Sequence, residues 1–293
     1  MKKVSVVIPF YSHLEWLYEA IDSVLAQTYP IHEIILINDG SKEDMTEFLK
    51  KYGDKILYIY QENSGPGAAR NNGICHATGD YIAFEDSDDI WLPTKIEKQV
   101  AFMQECGAKW CHTGFCYWWP ETNRIKKVFS GRDYDDISLQ RMISTKIATP
   151  SVMLDKTIYE DGDFYFPTDI RNGEDGALYT MLANKYPIAL VQEYLVKVRM
   201  RGNNSQSHAI ERFNLSAESY LKKKREGIKY PFMVHVIKIC YVVYAKLFGK
   251  KSTPQKEFVA KYFWTIPYVL ERIYVRWIFL TSHKNEKFIK KIS

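Results

Sequence analysis

Apolar positions fall into a recurring rhythm along the first half of the chain. Val4–Ile8 is an apolar, largely β-branched run stopped by Pro9, and Leu14, Leu17, Ile21, Val24 and Leu25 then recur at helical intervals. Together they predict a strand followed by a helix. Glu33–Ile37 predicts a second buried strand, Met45–Tyr52 a helix and Ile56–Tyr60 a third strand. Pro66–Ala77 predicts a helix opened by a Gly-Pro-Gly turn, and Tyr81–Phe84 a fourth strand. Strands that are apolar throughout, rather than at alternate positions, are buried on both faces. Separated by helices, they predict a parallel sheet with helices on either side.

Beyond a helix expected at Lys95–Cys106 the rhythm changes. Lys109–Trp119 and Ile125–Phe129 predict a hairpin around Pro120-Glu121-Thr122-Asn123. A helix near Leu139–Ile143, a strand at Ser151–Leu154, a helix at Asp175–Asn184 and a closing strand at Ile188–Val198 follow. The fold class is α/β: a mixed, mainly parallel sheet flanked by helices, continued by C-terminal amphipathic helices with a break at Gly249–Pro254. No stretch of roughly 18 uncharged apolar residues predicts a spanning helix. The opening MKKVSVVIPFY reads as the first strand rather than a signal peptide.

Composition adds a division. With 293 residues, 46% hydrophobic and 26% charged, the chain is too apolar for disorder and long enough for one large domain with an extension. The expected bodies are residues 1–219 and 220–293. The net charge of +5 conceals an asymmetry: Tyr220–Ser293 carries 17 Lys and Arg against 4 Glu, net +13, leaving 23 basic and 31 acidic residues elsewhere, net −8. Nucleic-acid binding would place the basic stripe on the folded body, so it is not expected. In the extension, Phe258, Tyr262, Ile266, Val269, Ile273, Trp277 and Leu280 recur at helical spacing beside lysines. That suits helices lying on the anionic, cytoplasmic face of a membrane; packing on the body or forming a homodimer surface is the alternative. The five cysteines include no CxxC pair and read as reduced thiols. Cys111 and Cys116 lie an odd number of positions apart on a predicted strand, so their sulfurs face opposite ways and zinc is not expected.

Candidate chemistry collects where the parallel strands end, since loops at the carboxyl ends of such strands bind ligands. Strand one ends Pro9-Phe10-Tyr11, strand two Asn38-Asp39-Gly40-Ser41, and strand four runs into Glu85-Asp86-Ser87-Asp88-Asp89. Four carboxylates in five positions repel one another unless a cation sits among them. A hard divalent ion such as Mg²⁺ or Mn²⁺ takes one or two carboxylates and completes its shell with phosphate oxygens. A capping role for Asp88 or Asp89 before a helix at Ile90 is the bland alternative. In Asn63-Ser64-Gly65-Pro66-Gly67-Ala68-Ala69-Arg70 the glycines let backbone approach a phosphate, and Arg70 lies in the first turns of the helix. Glu174-Asp175 is, by itself, an acidic first turn of a helix.

In combination, SVVIPFY, INDGS and NSGPGAARNNGICHATGDYIAFEDSDDIWLPTKIEKQ, with Asn172-Gly173-Glu174-Asp175 farther on, resemble the inverting glycosyltransferases of family 2, built on the GT-A fold. The resemblance covers Lys3–Gln99 densely. It implies a nucleotide-diphospho-sugar donor, a UDP-sugar most of all, with Pro9, Tyr11 and Asp39 near the nucleobase and ribose and Arg70 beside the nucleotide. It further implies Asp86 toward the ribose, Asp88 on a Mn²⁺ or Mg²⁺ ion bridging the diphosphate, and Asp175 as general base, with Glu174 its neighbour. The acceptor implied is a glycan or lipid-linked glycan of a bacterial surface polysaccharide. The chain departs from the family pattern in three places. Glu85 stands where relatives carry an apolar residue, no Gln-x-x-Arg-Trp follows Asp175, and Arg201 replaces the His of Tyr-Arg-x-His, with His208 as a substitute. The competing readings are a nucleotidyltransferase, which would carry a Gly-rich basic loop after strand one, and a non-catalytic nucleotide-sugar-binding or membrane scaffold protein.

Overall fold

The structure is a computed structural model that describes residues 1–128, 134–135, 147–162, 164–169, 173–201, 239 and 243. The chain divides into two compact units, residues 1–137 with 146–204 and residues 138–145 with 205–293. The second unit, and with it the amphipathic tail, His208 and the Gly249–Pro254 break, lies outside the described residues except for Ile239 and Val243, both helical. Phe129 and the helix expected at Leu139–Ile143 also lie outside them. Among the described residues no helix is long and apolar enough to cross a membrane.

The first unit begins with β1 (Val4–Phe10), α1 (Leu14–Leu25), β2 (Glu33–Asp39), α2 (Thr46–Tyr52), β3 (Leu57–Gln61), α3 (Pro66–His76) and β4 (Tyr81–Phe84). The short β5 (Ile90–Trp91), α4 (Lys95–Cys106), β6 (Trp110–Trp119), β7 (Arg124–Val128) and β8 (Tyr134–Asp135) follow, then β9 (Val152–Asp155), α5 (Glu174–Lys185) and β10 (Ile188–Arg199). The described strands form one sheet ordered β3-β2-β1-β4-β9-β6-β10-β5, with β7 on β6 and β8 on β10. The first four pair in parallel. β9 is antiparallel to both β4 and β6, which restores β6, and β10 parallel to it, to the direction of β4.

The period of two along the strands divides the core between the faces of the sheet. Val4, Val6, Ile8 and Phe10 of β1 and Ile34 and Leu36 of β2 join Leu17, Phe48 and Val100 from α1, α2 and α4. Val7, Ile35 and Ile37 face the other way, against Ala69 and Ile74 of α3 and Leu178 and Leu182 of α5. α3 lies close to the sheet because residue 73 is glycine: a Cβ there would fall 2.3 Å from Val7 Cγ1.

Two local expectations change. The region expected as one strand at Ser151–Leu154 begins as a 3₁₀ turn, Thr149–Ser151, before β9. Ile90-Trp91 does not open a helix; it forms β5, antiparallel to Val196 and Lys197 of β10. The carboxylates before it therefore cap nothing, and two residues are too few for periodicity to reveal a strand.

Candidate active site

The shared strand direction brings the ends of β1, β2, β3, β4, β6 and β10 to one edge of the sheet. Pro9, half-buried, and Tyr11, 54% exposed, lie at the end of β1 beside β2, where Phe10 is paired with Asn38. Asp39 ends β2 and is buried. One carboxylate oxygen accepts hydrogen bonds from Gln61 Nε2 and the Ser64 N–H, both at 2.8 Å, and the other accepts from the Gly65 N–H at 2.9 Å. Asn63 Nδ2 donates to the Asp39 carbonyl at 3.0 Å. Asp39 thus fixes the loop that opens α3, whose Gly65 needs the φ of +88° that glycine tolerates.

One turn into α3, Arg70 is buried and holds two carboxylates at once. Nη2 donates to Asp86 Oδ1 at 2.7 Å and Nη1 to Glu174 Oε1 at 3.0 Å, with the guanidinium over the Phe166 ring at 5.3 Å. Burial acts to lower the Arg70 pKa, but the two carboxylates outweigh it and hold the guanidinium firmly charged. For Glu174, burial and neighbouring Asp175 push the pKa up against the pull of Arg70. Asp175 is half-buried in the first turn of α5. Its Oδ1 accepts from the Gly176 N–H at 2.6 Å, and its Oδ2 lies 3.5 Å from Thr149 Oγ1.

The acidic loop after β4 is organised by two arginines at the end of β10. Arg199 donates its backbone N–H to Asp89 Oδ1 at 2.8 Å, Nε to the Asp88 carbonyl at 2.8 Å and Nη2 to Glu19 Oε2 at 2.8 Å. Its guanidinium stacks 4.7 Å from Trp118 and 5.3 Å from Trp16. Arg201, on the same side of the extended chain, pairs with Asp88 Oδ2 and lies 5.1 Å from the Trp16 ring. Burial, then Asp86, raises the Asp88 pKa, and burial, then Asp88, raises that of Asp89 well above the carboxylate range.

Glu85 faces the opposite way, into the core. It is fully buried, neither carboxylate oxygen has a hydrogen-bond partner, and burial followed by Asp89 drives its pKa well up. Lys95, at the start of α4 and equally buried, interacts electrostatically with it. Burial lowers the Lys95 pKa to about 7, and Nζ, also without a hydrogen-bond partner, sits 3.7 Å over the Trp91 ring. Both partners therefore move toward their neutral forms, as desolvation demands.

The structure joins Asp86 and Glu174 through Arg70, pairs Asp88, two residues beyond Asp86 in the same loop, with Arg201, and sets Asp175 beside Glu174. Pro9, Tyr11 and Asp39 lie on neighbouring strands of the same edge, while His208 lies outside the described residues. Sequence reasoning missed Arg199, Lys95, Gln61 and Thr149. Arg199 had a signal in its spacing of two from Arg201; Lys95, Gln61 and Thr149 had none, because no helical or strand spacing links them to Glu85, Asp39 and Asp175. Cys111 and Cys116 are both buried, and among the described residues no three His, Cys, Asp or Glu side chains cluster as a metal cage. A divalent ion shared between one or two carboxylates and a diphosphate asks for less. Asp88 offers a hard oxygen donor and already accepts a cationic guanidinium, so the residues present fit such an ion.

The fold and its ligand edge define a GT-A type glycosyltransferase fold, and solved structures share it. Staphylococcus aureus TarS residues 1–349, in complex with UDP-GlcNAc, superposes with a TM-score of 0.60 at 20% identity over 77% of this chain and 68% of that one. The mannosyltransferase PcManGT from Pyrobaculum calidifontis, in complex with GDP-Man and Mn²⁺, gives 0.59 at 16% identity over 93% and 83%. The family model for glycosyl transferase family 2 matches residues 5–155. The putative teichuronic acid biosynthesis glycosyltransferase TuaG of Bacillus subtilis is 30% identical over 85% of this chain and 96% of its own length. The chain belongs to glycosyl transferase family 2. It spans about a third to a half of the length of the first curated relatives it matches.

Proposed function

We propose that the chain transfers one sugar, with inversion, from a nucleotide-diphospho-sugar, a UDP-sugar most of all, to a hydroxyl of a glycan or lipid-linked glycan. The observation that carries this reading is the buried Arg70 guanidinium held by Asp86 and Glu174 at 2.7 and 3.0 Å. It joins the acidic loop after β4 to the first turn of α5, so a cation-binding carboxylate set and a half-buried Asp175 serve one cleft. The family, and the nucleotide-sugars in the TarS and PcManGT structures, support such a donor. The name given to TuaG supports an acceptor in a surface polysaccharide.

The reaction is a single displacement. The acceptor oxygen bonds to the anomeric carbon as the bond from that carbon to the diphosphate oxygen breaks, inverting its configuration. Asp175 takes the hydroxyl proton, and the leaving nucleoside diphosphate takes the bonding electrons. Asp86 orients the ribose, Asp39 holds the loop that walls the nucleotide site, and Arg201 brings positive charge to the leaving-group side. Asp88 would hold the Mn²⁺ or Mg²⁺ ion, which, when bound, stabilises charge on the departing diphosphate.

Asp88→Asn and Asp175→Asn should each reduce transfer by at least about 10²-fold, the scale of a lost general base, while far-UV circular dichroism stays that of the parent. Full activity in either variant would remove the role assigned to it. Incubation with UDP-, GDP- and dTDP-sugars plus Mn²⁺ separates the readings: an enzyme releases nucleotide slowly, whereas a binding module shows a thermal shift with no release.

A further inference from the structure

Glu174 is next to the proposed base and deeply buried, yet the displacement assigns it no proton to carry. It is 6% exposed, and Arg70 Nη1 donates to its Oε1 at 3.0 Å. The close approach at Gly67 and two hydrogen bonds of Asn71 show that this junction is built closely. A Cβ on Gly67, one turn before Arg70, would lie 3.1 Å from Glu174 Cγ and 3.1 Å from the Pro167 carbonyl oxygen. Asn71, beside Arg70, donates Nδ2 to the Phe166 carbonyl at 2.7 Å and accepts the Phe166 N–H at 2.9 Å. The first turns of α3 are thereby fastened both to residues 166–167 and to the first residue of α5.

We infer that Arg70 and Glu174 form a positioning pair: one buried guanidinium, shared with Asp86, fixes the start of α5 and so places the Asp175 carboxylate relative to the donor loop. The inference rests on the reading of Asp175 as base. Its physical basis is the forked guanidinium, whose planar donors reach two carboxylates in one fixed geometry that a lysine ammonium does not reproduce. Within a buried cluster, neither carboxylate can move far without leaving itself and one terminal nitrogen of the arginine unpaired.

A positioning residue should affect the chemical step more than donor binding. Misplacement of a reacting group by about 1 Å costs up to about 10²-fold in rate. In the full chain, Glu174→Gln keeps the shape and one acceptor oxygen but removes the charge, and is expected to lower kcat by about 10-fold, well short of the loss in Asp175→Asn, while donor KM stays within about threefold. Gly67→Ala leaves all three charges in place and presses on the Glu174 stem; it should show the same split and provides the test if Glu174→Gln fails to fold. Arg70→Lys, which also loosens Asp86, should lower kcat and raise donor KM. The Arg70→Lys/Glu174→Gln double variant should fall well short of the product of the two kcat losses.

A kcat per folded molecule unchanged in both Glu174→Gln and Gly67→Ala, or single losses that multiply in the double variant, would overturn the inference and leave Glu174 a structural residue. Loss in Glu174→Gln as complete as in Asp175→Asn would overturn it in the other direction, making Glu174 itself the base. Asp175→Asn, assayed in parallel, separates the two levels: full activity there removes the underlying reading, whatever Glu174→Gln shows.

Discussion

At the scale of single residues, the acidic loop after β4 contains carboxylates in two different physical states. Asp88 is 15% exposed and has Arg201 as its partner, whereas Glu85 is sealed in the core. Sequence reading singled out Asp86 and Asp88 as candidates but had no place for Glu85. Its counterpart is Lys95, ten positions on and separated from it by β5, so only folding brings the two together. A buried lysine deprotonated near neutrality has a measurable consequence. Its pKa falls from 10.5 to about 7 on folding, so between those values the unfolded chain binds a proton that the folded chain does not. Stability should therefore rise with pH across that window, by up to about 1.4 kcal/mol per pH unit from this group. Lys95→Met should flatten the rise, read as a smaller gain in urea-unfolding free energy between pH 7.5 and 9.5 than the parent shows. An equal gain in both proteins would mean that Lys95 stays charged in the fold.

At the scale of elements, α3 joins the site to the sheet. Its N-terminal turns carry Arg70 and meet the Asp39 loop, and its later turn lies against β1 at Gly73. The sequence indicated the helix and its glycine-rich opening, and suggested a phosphate contact for Arg70. What it could not indicate was that both terminal nitrogens of Arg70 reach carboxylates, one of them 104 positions away. Gly73 tests the packing separately from the chemistry. Alanine there gains up to about 1 kcal/mol in helix propensity, but its methyl group would meet Val7 at 2.3 Å. Overpacking of this kind costs about 1–3 kcal/mol, so Gly73→Ala should lower Tm by a few degrees with kcat per folded molecule unchanged. A raised Tm would show that β1 and α3 can separate at little cost. β5 marks the opposite limit of legibility: its two residues are strand because β10 lies beside them, a fact that no local pattern carries.

At the scale of the whole molecule, charge is divided between an acidic body and a tail of net +13. A membrane role for that tail, the expectation drawn from its charge and helical spacing, predicts that the full chain floats with vesicles containing about one-third anionic lipid at low salt and is released near 0.5 M salt, where screening shortens to a few ångströms. Binding to neutral vesicles of equal strength would remove the electrostatic part of this expectation. By itself the sequence determined the parallel half of the sheet, the edge where its strands end and the acidic, glycine-rich and Glu-Asp motifs found there. These depend on periodicity, turn chemistry and short spacing, all of which are local. The tertiary structure decided that β9 runs antiparallel between β4 and β6, that Arg199 and Arg201 close on the acidic loop, that Glu85 and Lys95 are buried within electrostatic reach of each other, and that one arginine ties Asp86 to Glu174. Those pairings depend on which distant segments share a buried volume, where the cost of an unpaired charge selects partners that sequence distance conceals.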